Sequence, residues 1–364
     1  MRRHYLDNIK WIVQIIVVLY HVFFMYNGIG LPGVFGQITK EQFVPGDMFQ
    51  YMVYPWFMTL LFIAAGISAR LFLGTHSAKE FLKRRTVRLL VPSTIGVLVF
   101  GYVQGYLNMA LSKAFGSTSQ LPVVLQFLIM CISGTGVLWF LQVLWVCSVI
   151  LVLVIKIEKG RLLNICSKFN VIALILLVIP FFGAGLILNT PIIACYRFGL
   201  YIMAFMSGYF IFSHEEVMAR IKKALPLFVV CAAASGIAFC VLHFGENYAD
   251  APANRTAEYL FFAYFMSVTL LALAAKYLDF ATPVTTWIYK RSFGLYVFHY
   301  IGISLAALFV AGRFDLHPAL IYIMSAAAGF GVGFLLNAII SRIPFFRWAV
   351  LGISKRKGKK DVQG

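Results

Sequence analysis

Ten apolar runs, each about long enough to cross the hydrocarbon core of a bilayer, dominate this chain of 364 residues. A helix rises about 1.5 Å per residue, so about 20 apolar residues span a core of about 30 Å. In lipid the backbone polar groups must be satisfied internally, which favours helices for runs of this length. The sequence therefore predicts an all-α integral membrane fold with about ten transmembrane helices. The runs are 11–29, 50–73, 88–108, 136–156, 170–189, 193–213, 224–243, 258–277, 291–311 and 318–341.

The basic residues indicate how these helices are oriented. The chain is 61% hydrophobic and 12% charged, with a mean hydropathy of +0.87, so its net charge of +18 is first of all a topology signal. If the runs alternate across the membrane, all but five of the 31 Lys and Arg fall on the side of the two termini. The positive-inside rule then places both termini in the cytoplasm. This distribution accounts for most of the charge and argues against a nucleic-acid partner. The five exceptions are Lys40, Lys113, Arg197, Arg255 and Arg313.

No loop is long enough to form a soluble domain. We expect residues 1–342 to form one multispanning domain and residues 343–364 to form a basic cytoplasmic tail. The apolar piece 121–132 is too short to span and predicts an interfacial or re-entrant segment.

Small residues and cysteines add two further expectations. The pairs Gly101/Gly105 and Gly329/Gly333 have GxxxG spacing, which predicts close helix packing. The six cysteines form no CxxC pair, so neither a disulfide framework nor a metal site is expected. The sequence leaves open whether the protein is a homo-oligomer.

The first apolar run lies within "YLDNIKWIVQIIVVLYHVFF", residues 5–24, and carries a row of polar side chains. Taken as a helix at about 100° per residue, Lys10 and His21 fall within about 20° of each other on one face. Asp7 and Gln14 lie close to the same line. A polar stripe is unfavourable in lipid unless it faces protein or a cavity. We therefore expect His21 and Asp7 to be catalytic and Gln14 to line the cavity.

A second histidine reaches a similar depth. His21 lies about 16 Å along its helix from Lys10, near the bilayer midplane. His299 in "SFGLYVFHY" follows Arg291 by eight residues on a helix that also rises from the cytoplasm, at a depth of about 12 Å. Each histidine either hydrogen-bonds a neighbouring helix or lines a cavity. The aligned stripe favours the functional interpretation for His21, and the choice stays open for His299.

Three arginines stand at the cytoplasmic mouth of the third helix, in "HSAKEFLKRRTVRLLVP". Arg84, Arg85 and Arg88 are at i, i+1 and i+4, so their guanidinium groups project to one side. Such a fork suits a multiply phosphorylated ligand, because a guanidinium binds two phosphate oxygens at once. The alternative is positive-inside charge whose side chains extend to the interface. Because the Lys10 end of the stripe opens on the same membrane face, we interpret these arginines and Lys10 as ligands of a phosphorylated cofactor.

Four more residues in apolar runs are candidates for an acceptor site or a cavity. Arg197 and Glu258 lie toward the outer ends of their helices, and either pair with each other or contact a polar acceptor that enters from outside. Trp139 in "GVLWFLQVLW" either belongs to an interfacial aromatic belt or, with Gln142, lines a cavity.

Together these residues resemble the acyltransferase 3 family of bacterial membrane O-acyltransferases, which includes O-antigen and peptidoglycan acetyltransferases and the glucan succinyl-transfer protein C. The family shows LDxLR followed by ten residues and a histidine in its first helix. Here "YLDNIK" keeps Leu6 and Asp7, and His21 falls on the motif histidine. The remaining signatures occur in family order as "LFIAAGISA" at the end of the second helix, Arg85, Arg88 and Pro92, "LWFL" at 138–141, and Ser292 to His299.

One position departs from the family. Lys10 stands where the motif has arginine, and lysine keeps the charge but loses the bidentate fork. The branch of the family, the acyl group and the acceptor are therefore left open.

The resemblance implies an enzyme of the inner or plasma membrane that takes acetyl-CoA or succinyl-CoA from the cytoplasm. The expected acceptor is a hydroxyl of a glycan, either lipid-linked or extracytoplasmic, and the lipid bilayer is the other partner. A neutral imidazole at His21 would take the proton from the attacking hydroxyl. The sequence shows no well-flanked Ser or Cys nucleophile, which favours direct transfer.

Two other functions stay open at this point. One is a transporter or flippase of glycolipid or small solute, with His21 and His299 in a proton relay. The other is a non-catalytic subunit of a glycan assembly complex.

Overall fold

The computed structural model describes residues 3–29, 34–38, 43–190 and 194–354. The regular secondary structure of these residues is all helical, and they contain no β-strand apart from one isolated antiparallel bridge between Asn189 and Arg197. The all-α prediction is confirmed. The helices are α1 His4–Met25, α2 Val44–Leu73, α3 Ala78–Leu111, α4 Val123–Ser133, α5 Gly136–Glu158, α6 Arg161–Ser167, α7 Val171–Leu186, α8 Phe198–Phe210, α9 Glu215–Lys223, α10 Leu225–His243, α11 Ala257–Tyr277, α12 Pro283–Ala311, α13 Pro318–Ile340 and α14 Pro344–Leu351.

Eight of these helices in the described residues are long and apolar enough to cross a membrane. A ninth span results if α6 and α7, which are bent by 115° at the break between them, are counted together. Each of the ten apolar runs predicted from the sequence contains a helix. The sixth run yields α8, a helix of only 13 residues, which is shorter than a full span. The cytoplasmic location of the termini stays a prediction.

The third long helix, α3, is irregular. Two π-helical turns, Thr86–Leu90 and Val97–Gly101, interrupt α3 on either side of Pro92. Proline has no backbone N–H and its ring crowds the preceding turn, so a local widening of the helix around it is the expected response. Arg88 lies in the first of these turns, whereas Arg84 and Arg85 end the α-helical part before it.

The described helices form two compact units. Unit 1 comprises Met1–Phe81 and Val146–Ser292, and unit 2 comprises Leu82–Trp145 and Phe293–Gly364.

In unit 1, α2 lies at the centre and packs against α1, α8 and α11. The contact between α2 and α8 is made through Gly66 and Gly208. A Cβ atom on Gly66 would overlap the backbone carbonyl of Phe205, and one on Gly208 would overlap that of Ile63. Two helix backbones therefore approach as closely as glycine permits.

In unit 2, glycines make the same kind of contact. A Cβ atom on Gly105 would overlap the carbonyl of Met130 on α4. On α13, Gly329 lies where Gly302 of α12 approaches. The close packing predicted from the two GxxxG pairs is confirmed at both places.

The short apolar piece 121–132 forms α4, which has 11 residues and is too short to span, as predicted. Whether it lies in the interface stays a prediction. The segment interpreted as a tail begins with α14, whose Ala349, Val350 and Leu351 are buried in the core of unit 2. The basic end of that segment, residues 355–364, lies outside the described residues, as does Lys40.

Gly66→Ala tests the helix contact of unit 1. The added Cβ has no room against the Phe205 carbonyl, so α2 and α8 must separate, and we expect a loss of about 1–3 kcal/mol. Gly183→Ala in α7 is the matched control, because a Cβ there meets open space and should leave stability unchanged or raise it slightly. The measurement is the midpoint of thermal unfolding of both variants in detergent. Equal midpoints would contradict the close contact between α2 and α8.

Candidate functional site

The polar stripe predicted for the first run is one face of α1. Asp7, Lys10, Gln14 and His21 all lie on the uninterrupted helix His4–Met25. At about 100° per residue they fall within an arc of about 60°, and Lys10 and His21 are separated by about 16 Å along the axis. The structure therefore confirms the helix on which the stripe was predicted.

Lys10 is held at one end of this face by two neighbours. Its Nζ atom lies 3.8 Å from Oδ1 of Asp7 and 3.4 Å from Oγ of Ser68 on α2. The Ser68 hydroxyl donates its proton to the carbonyl of Ala64, so its oxygen accepts from Lys10. The Lys10 side chain is 31% exposed and the Asp7 side chain 16%, so a positive charge stands at a half-buried end of the stripe.

His21 is oriented by its own helix. Its Nδ1 lies 2.8 Å from the carbonyl oxygen of Val17, one turn earlier. A carbonyl can only accept, so Nδ1 carries the proton of the neutral ring and Nε2 carries the lone pair. The rings of Tyr20 and Phe24 contact the imidazole edge to face, with centroids 5.1 and 6.0 Å away. This is the tautomer that a general base needs.

Gln14 stands between these two residues on the same face. Its Oε1 is buried and accepts no hydrogen bond from any described residue. An unpaired buried amide oxygen is unfavourable by about 1–3 kcal/mol, so it is a natural acceptor for an N–H or O–H group of a ligand.

The contacts that fix the beginning of α1 were not predicted from the sequence. Asn8 is 3% exposed, and its Nδ2 donates to the carbonyls of Leu278 (2.6 Å) and Phe280 (2.9 Å), just after α11. Asp279 accepts the backbone N–H of Tyr5 at 3.0 Å. These bonds hold the Lys10 end of α1 against the end of α11. The sequence feature that could have indicated this anchor is Asn8 itself, a polar residue in α1 that does not lie on the polar stripe.

A second network that sequence reasoning missed holds the other end of α1. Gln50 Nε2 donates to Oδ1 of Asp47 at 3.1 Å, which leaves its Oε1 to accept from the hydroxyl of Tyr248 at 2.7 Å. The single proton of Tyr248 is thereby used, so the hydroxyl of Tyr20, 3.1 Å away, is the donor to it. A buried carboxylate thus sets the direction of a chain that ends at the residue beside His21.

The three arginines belong to unit 2. Arg84 and Arg88 are exposed and Arg85 is half-buried, on consecutive turns of α3. Gly352, just after α14, adopts a left-handed conformation with φ 60°. It lies so close to the backbone of Val87 and Arg88 that a Cβ atom would overlap it. The backbone that carries Arg88 is therefore fixed while its side chain extends outward.

Trp139 and Gln142 lie on α5 of unit 2. Gln142 Nε2 donates to the carbonyl of Ser93 at 2.9 Å, close to Pro92 in α3. One turn on, the indole of Trp145 donates to Oγ1 of Thr86 at 3.1 Å. The contacts of Gln142 and Trp145 tie α5 to the irregular part of α3. The ring of Trp139 contacts Phe140.

His299 is completely buried in unit 2. Its Nδ1 lies 2.8 Å from the carbonyl of Tyr296 and 3.1 Å from that of Leu295. Nδ1 of His299 therefore carries the proton of the neutral ring, as in His21, but the His299 ring is packed beside Tyr296 and Tyr300.

Arg197 and Glu258 both lie in unit 1 but are not paired with each other. Oε2 of Glu258 lies 3.7 Å from Nε2 of His243, and Nδ1 of that histidine bonds Glu246 at 3.0 Å. Arg197 instead donates to backbone carbonyls, as described below. The sequence left open whether Arg197 and Glu258 form an ion pair or contact an acceptor, and the structure shows no ion pair between them.

The site residues therefore divide between the two units. Unit 1 holds Asp7, Lys10, Gln14, His21, Arg197 and Glu258, and unit 2 holds Arg84, Arg85, Arg88, Trp139, Gln142 and His299. Among the described residues no three His, Cys, Asp or Glu side chains come together in a way that could hold a metal ion.

One comparison with known proteins finds a family. The family model of the acyltransferase 3 type, described as an acyltransferase domain, matches residues 3–342 of the chain. Searches of the curated proteins and of the solved structures find no match.

Asn8→Ala tests the anchor at the beginning of α1. The change leaves the carbonyls of Leu278 and Phe280 without their donor, and we expect a loss of about 1–3 kcal/mol in the free energy of unfolding. Asn164→Ala, at an exposed position, should have no effect. The measurement is the midpoint of thermal unfolding of both variants in detergent. An unchanged midpoint for Asn8→Ala would show that these hydrogen bonds do not stabilise the protein.

Proposed function

The chain belongs to the acyltransferase 3 family, and from this premise we propose that it transfers an acetyl-like or succinyl-like group from acyl-CoA to a hydroxyl of a cell-envelope carbohydrate. It is a multi-pass integral membrane protein and an acyltransferase. The proposal concerns the donor, the acceptor and the residues that act on them. One observation supports it most directly, namely the hydrogen bond between Nδ1 of His21 and the Val17 carbonyl.

In the proposed reaction His21 is the general base. Its Nε2 takes the proton of the acceptor hydroxyl as that oxygen attacks the thioester carbonyl. The new C–O bond forms, the C–S bond breaks, and the imidazolium returns the proton to the departing thiolate of coenzyme A. No side chain is acylated, so one correctly oriented imidazole suffices. The Val17 carbonyl stabilises the imidazolium that forms midway, because it accepts from Nδ1 in both protonation states.

The donor is proposed to enter at the Lys10 end of α1. Coenzyme A carries phosphates, which a half-buried lysine held by Asp7 and Ser68 can bind. The pantetheine arm, built from amide and methylene units, extends roughly 15–20 Å. This matches the distance of about 16 Å from Lys10 to His21 along the helix. The arm contains amide N–H groups, and the buried Oε1 of Gln14, midway along the face, is a suitable acceptor for one of them.

Arg84, Arg85 and Arg88 are proposed as further ligands of the donor phosphates. Support comes from their chemistry, since a guanidinium binds phosphate with two parallel hydrogen bonds and lysine cannot.

His21→Gln tests the base. Glutamine keeps a polar side chain but cannot accept a proton, so we expect kcat to fall by about 10²–10⁴-fold with donor affinity within a few-fold of wild type. His76→Gln, at an exposed histidine after α2, is the matched control and should be fully active. The measurement is release of coenzyme A from acetyl-CoA by detergent-purified protein. Wild-type turnover in His21→Gln would exclude this role. Absence of any acyl-CoA turnover in the wild-type protein would instead favour a transporter.

Arg88→Ala tests the phosphate site. Loss of a charge-assisted contact should raise the apparent donor KM by about tenfold and change kcat little, and the difference should shrink as salt is added. Arg88→Lys should recover only part of the affinity, while Lys10→Arg should keep or improve it. Arg161→Ala removes one exposed charge elsewhere and serves as the control. If Arg85 and Arg88 can both become alanine with an unchanged donor KM at low salt, the arginines act only as topology signals.

A further inference from the structure

Arg197 is an arginine in unit 1 whose side chain is only 1% exposed. It directly precedes α8, and its Nη2 donates to the carbonyl of Asn254 at 2.6 Å and, more weakly, to that of Gly185 at 3.4 Å. The guanidinium lies over the ring of Tyr259, 5.0 Å from its centroid. These contacts and a polar interaction with the Tyr259 side chain hold the group in place, but only Nη2 makes hydrogen bonds of normal geometry.

The other two nitrogens are buried without a partner. Nε and Nη1 of Arg197 donate to no described residue. No carboxylate of the described residues forms an ion pair with it, since Glu258 contacts His243 instead. A buried guanidinium with unmade hydrogen bonds is strongly unfavourable, so the position calls for acceptors that the described protein does not supply.

Two asparagines that share hydrogen-bond partners with Arg197 also carry unpaired acceptors. Asn254 directs its Nδ2 to the carbonyl of Ala249, and Asn189 directs its Nδ2 to the carbonyl of Gly185. Each amide is thereby oriented, and its Oδ1 is buried and accepts nothing from the described residues. Arg197 donates to the backbone of Asn254 and shares the Gly185 carbonyl with Asn189, so all three side chains belong to one cluster.

Donors and acceptors left unpaired together restrict the chemistry of a ligand. A phosphate or carboxylate would satisfy Arg197 and leave both amide oxygens without a donor. A cation would satisfy the amide oxygens and repel the guanidinium. A hydroxyl group both donates and accepts, and a ring with adjacent hydroxyls presents several such groups at once.

A row of aromatic rings in unit 1 connects this cluster with His21. Tyr259 contacts Tyr54 at 6.5 Å between centroids, Tyr54 contacts Tyr20 at 5.7 Å, and Tyr20 contacts His21 at 5.1 Å. Aromatic faces suit the C–H faces of sugar rings, while polar groups at their edges bond the hydroxyls.

We propose that Arg197, with Asn254 and Asn189, forms a subsite for the hydroxyl groups of the carbohydrate acceptor, at the far end of a tyrosine row that leads to His21. The proposal rests on the proposed function and names the part of unit 1 that recognises the acceptor. It assigns no catalytic role to Arg197, because the cluster lies several side chains away from the base.

The test separates acceptor recognition from chemistry at the donor. We expect the purified protein to release coenzyme A from acetyl-CoA slowly when water is the acceptor, and faster when a usable acceptor is added. The acceptor probes are methyl pyranosides of glucose, galactose, N-acetylglucosamine and rhamnose. Arg197→Lys keeps the charge but removes the unpaired fork, so the KM for the best pyranoside should rise at least about tenfold. Hydrolysis of acetyl-CoA without acceptor should stay within about twofold of wild type.

Arg220→Lys is the matched control. Arg220 also donates to backbone carbonyls, those of Ser167 and Phe169 at 2.9 Å, but has no buried unpaired nitrogen, so the acceptor KM should not change. If Arg197→Lys does not fold, Asn189→Ala removes one unpaired oxygen and should raise the acceptor KM about threefold.

Four results would overturn the subsite. In Arg197→Lys they are an unchanged acceptor KM, or a loss of acetyl-CoA hydrolysis that is as large as the loss of acceptor-dependent transfer. In the wild-type protein they are competition of millimolar inorganic phosphate with the pyranoside, or failure of every pyranoside to accelerate the release of coenzyme A although acetyl-CoA is hydrolysed. The second result would mean a structural role and the third an anion site. Failure of the proposed function itself looks different, since the wild-type protein would then release no coenzyme A at all.

Discussion

A polar face on a membrane-spanning helix is the constraint from which the rest of this structure follows. Four polar side chains on α1 would be unfavourable in lipid, so the helix has to be surrounded by protein or by the path of a ligand. Within that face the bond from Nδ1 of His21 to the Val17 carbonyl selects one tautomer and leaves Nε2 as a base. The chemistry that we propose requires this one property of the helix.

Both ends of α1 are fixed, and this makes the orientation of His21 reproducible. Asn8 and Asp279 hold the Lys10 end with three hydrogen bonds. At the other end Tyr20 is held through Tyr248 by Gln50. A base has to stay within a few tenths of an ångström of its productive position, and two buried anchors on one helix provide such rigidity.

The two ends also differ in chemistry. The Lys10 end presents a positive charge and suits a phosphorylated donor. The Tyr248 end is built from tyrosines, amides, the buried carboxylate of Asp47 and the buried Arg197, and we infer that it suits a neutral ligand rich in hydroxyl groups. We therefore propose that donor and acceptor approach His21 from opposite ends of α1.

The sequence was informative where a pattern is compatible with only one kind of structure. Apolar runs predicted every long helix, because hydrocarbon permits little else, and eleven-residue spacing predicted that Lys10 and His21 share a face. The sharp bend between α6 and α7 and the shortness of α8 were not predicted, since apolarity does not report where a helix breaks. Asn8, Gln50 and Tyr248 were missed because their partners lie up to 272 residues away, and no local pattern encodes such pairings. Pairing of Arg197 with Glu258 was a reasonable expectation from charge, but backbone carbonyls and a tyrosine ring hold that arginine.

The central claim, that donor and acceptor meet at His21 from opposite ends of α1, is tested most directly in sealed proteoliposomes. Acetyl-CoA labelled in the acetyl group is enclosed, and maltotriose, which like acetyl-CoA does not cross the bilayer, is added outside. We predict labelled acetyl-maltotriose in the outer solution, in proportion to the protein molecules whose Lys10 end faces the lumen, and formation slowed by about 10²–10⁴-fold with His21→Gln. Formation of product only when both substrates are on the same side of the membrane would contradict it.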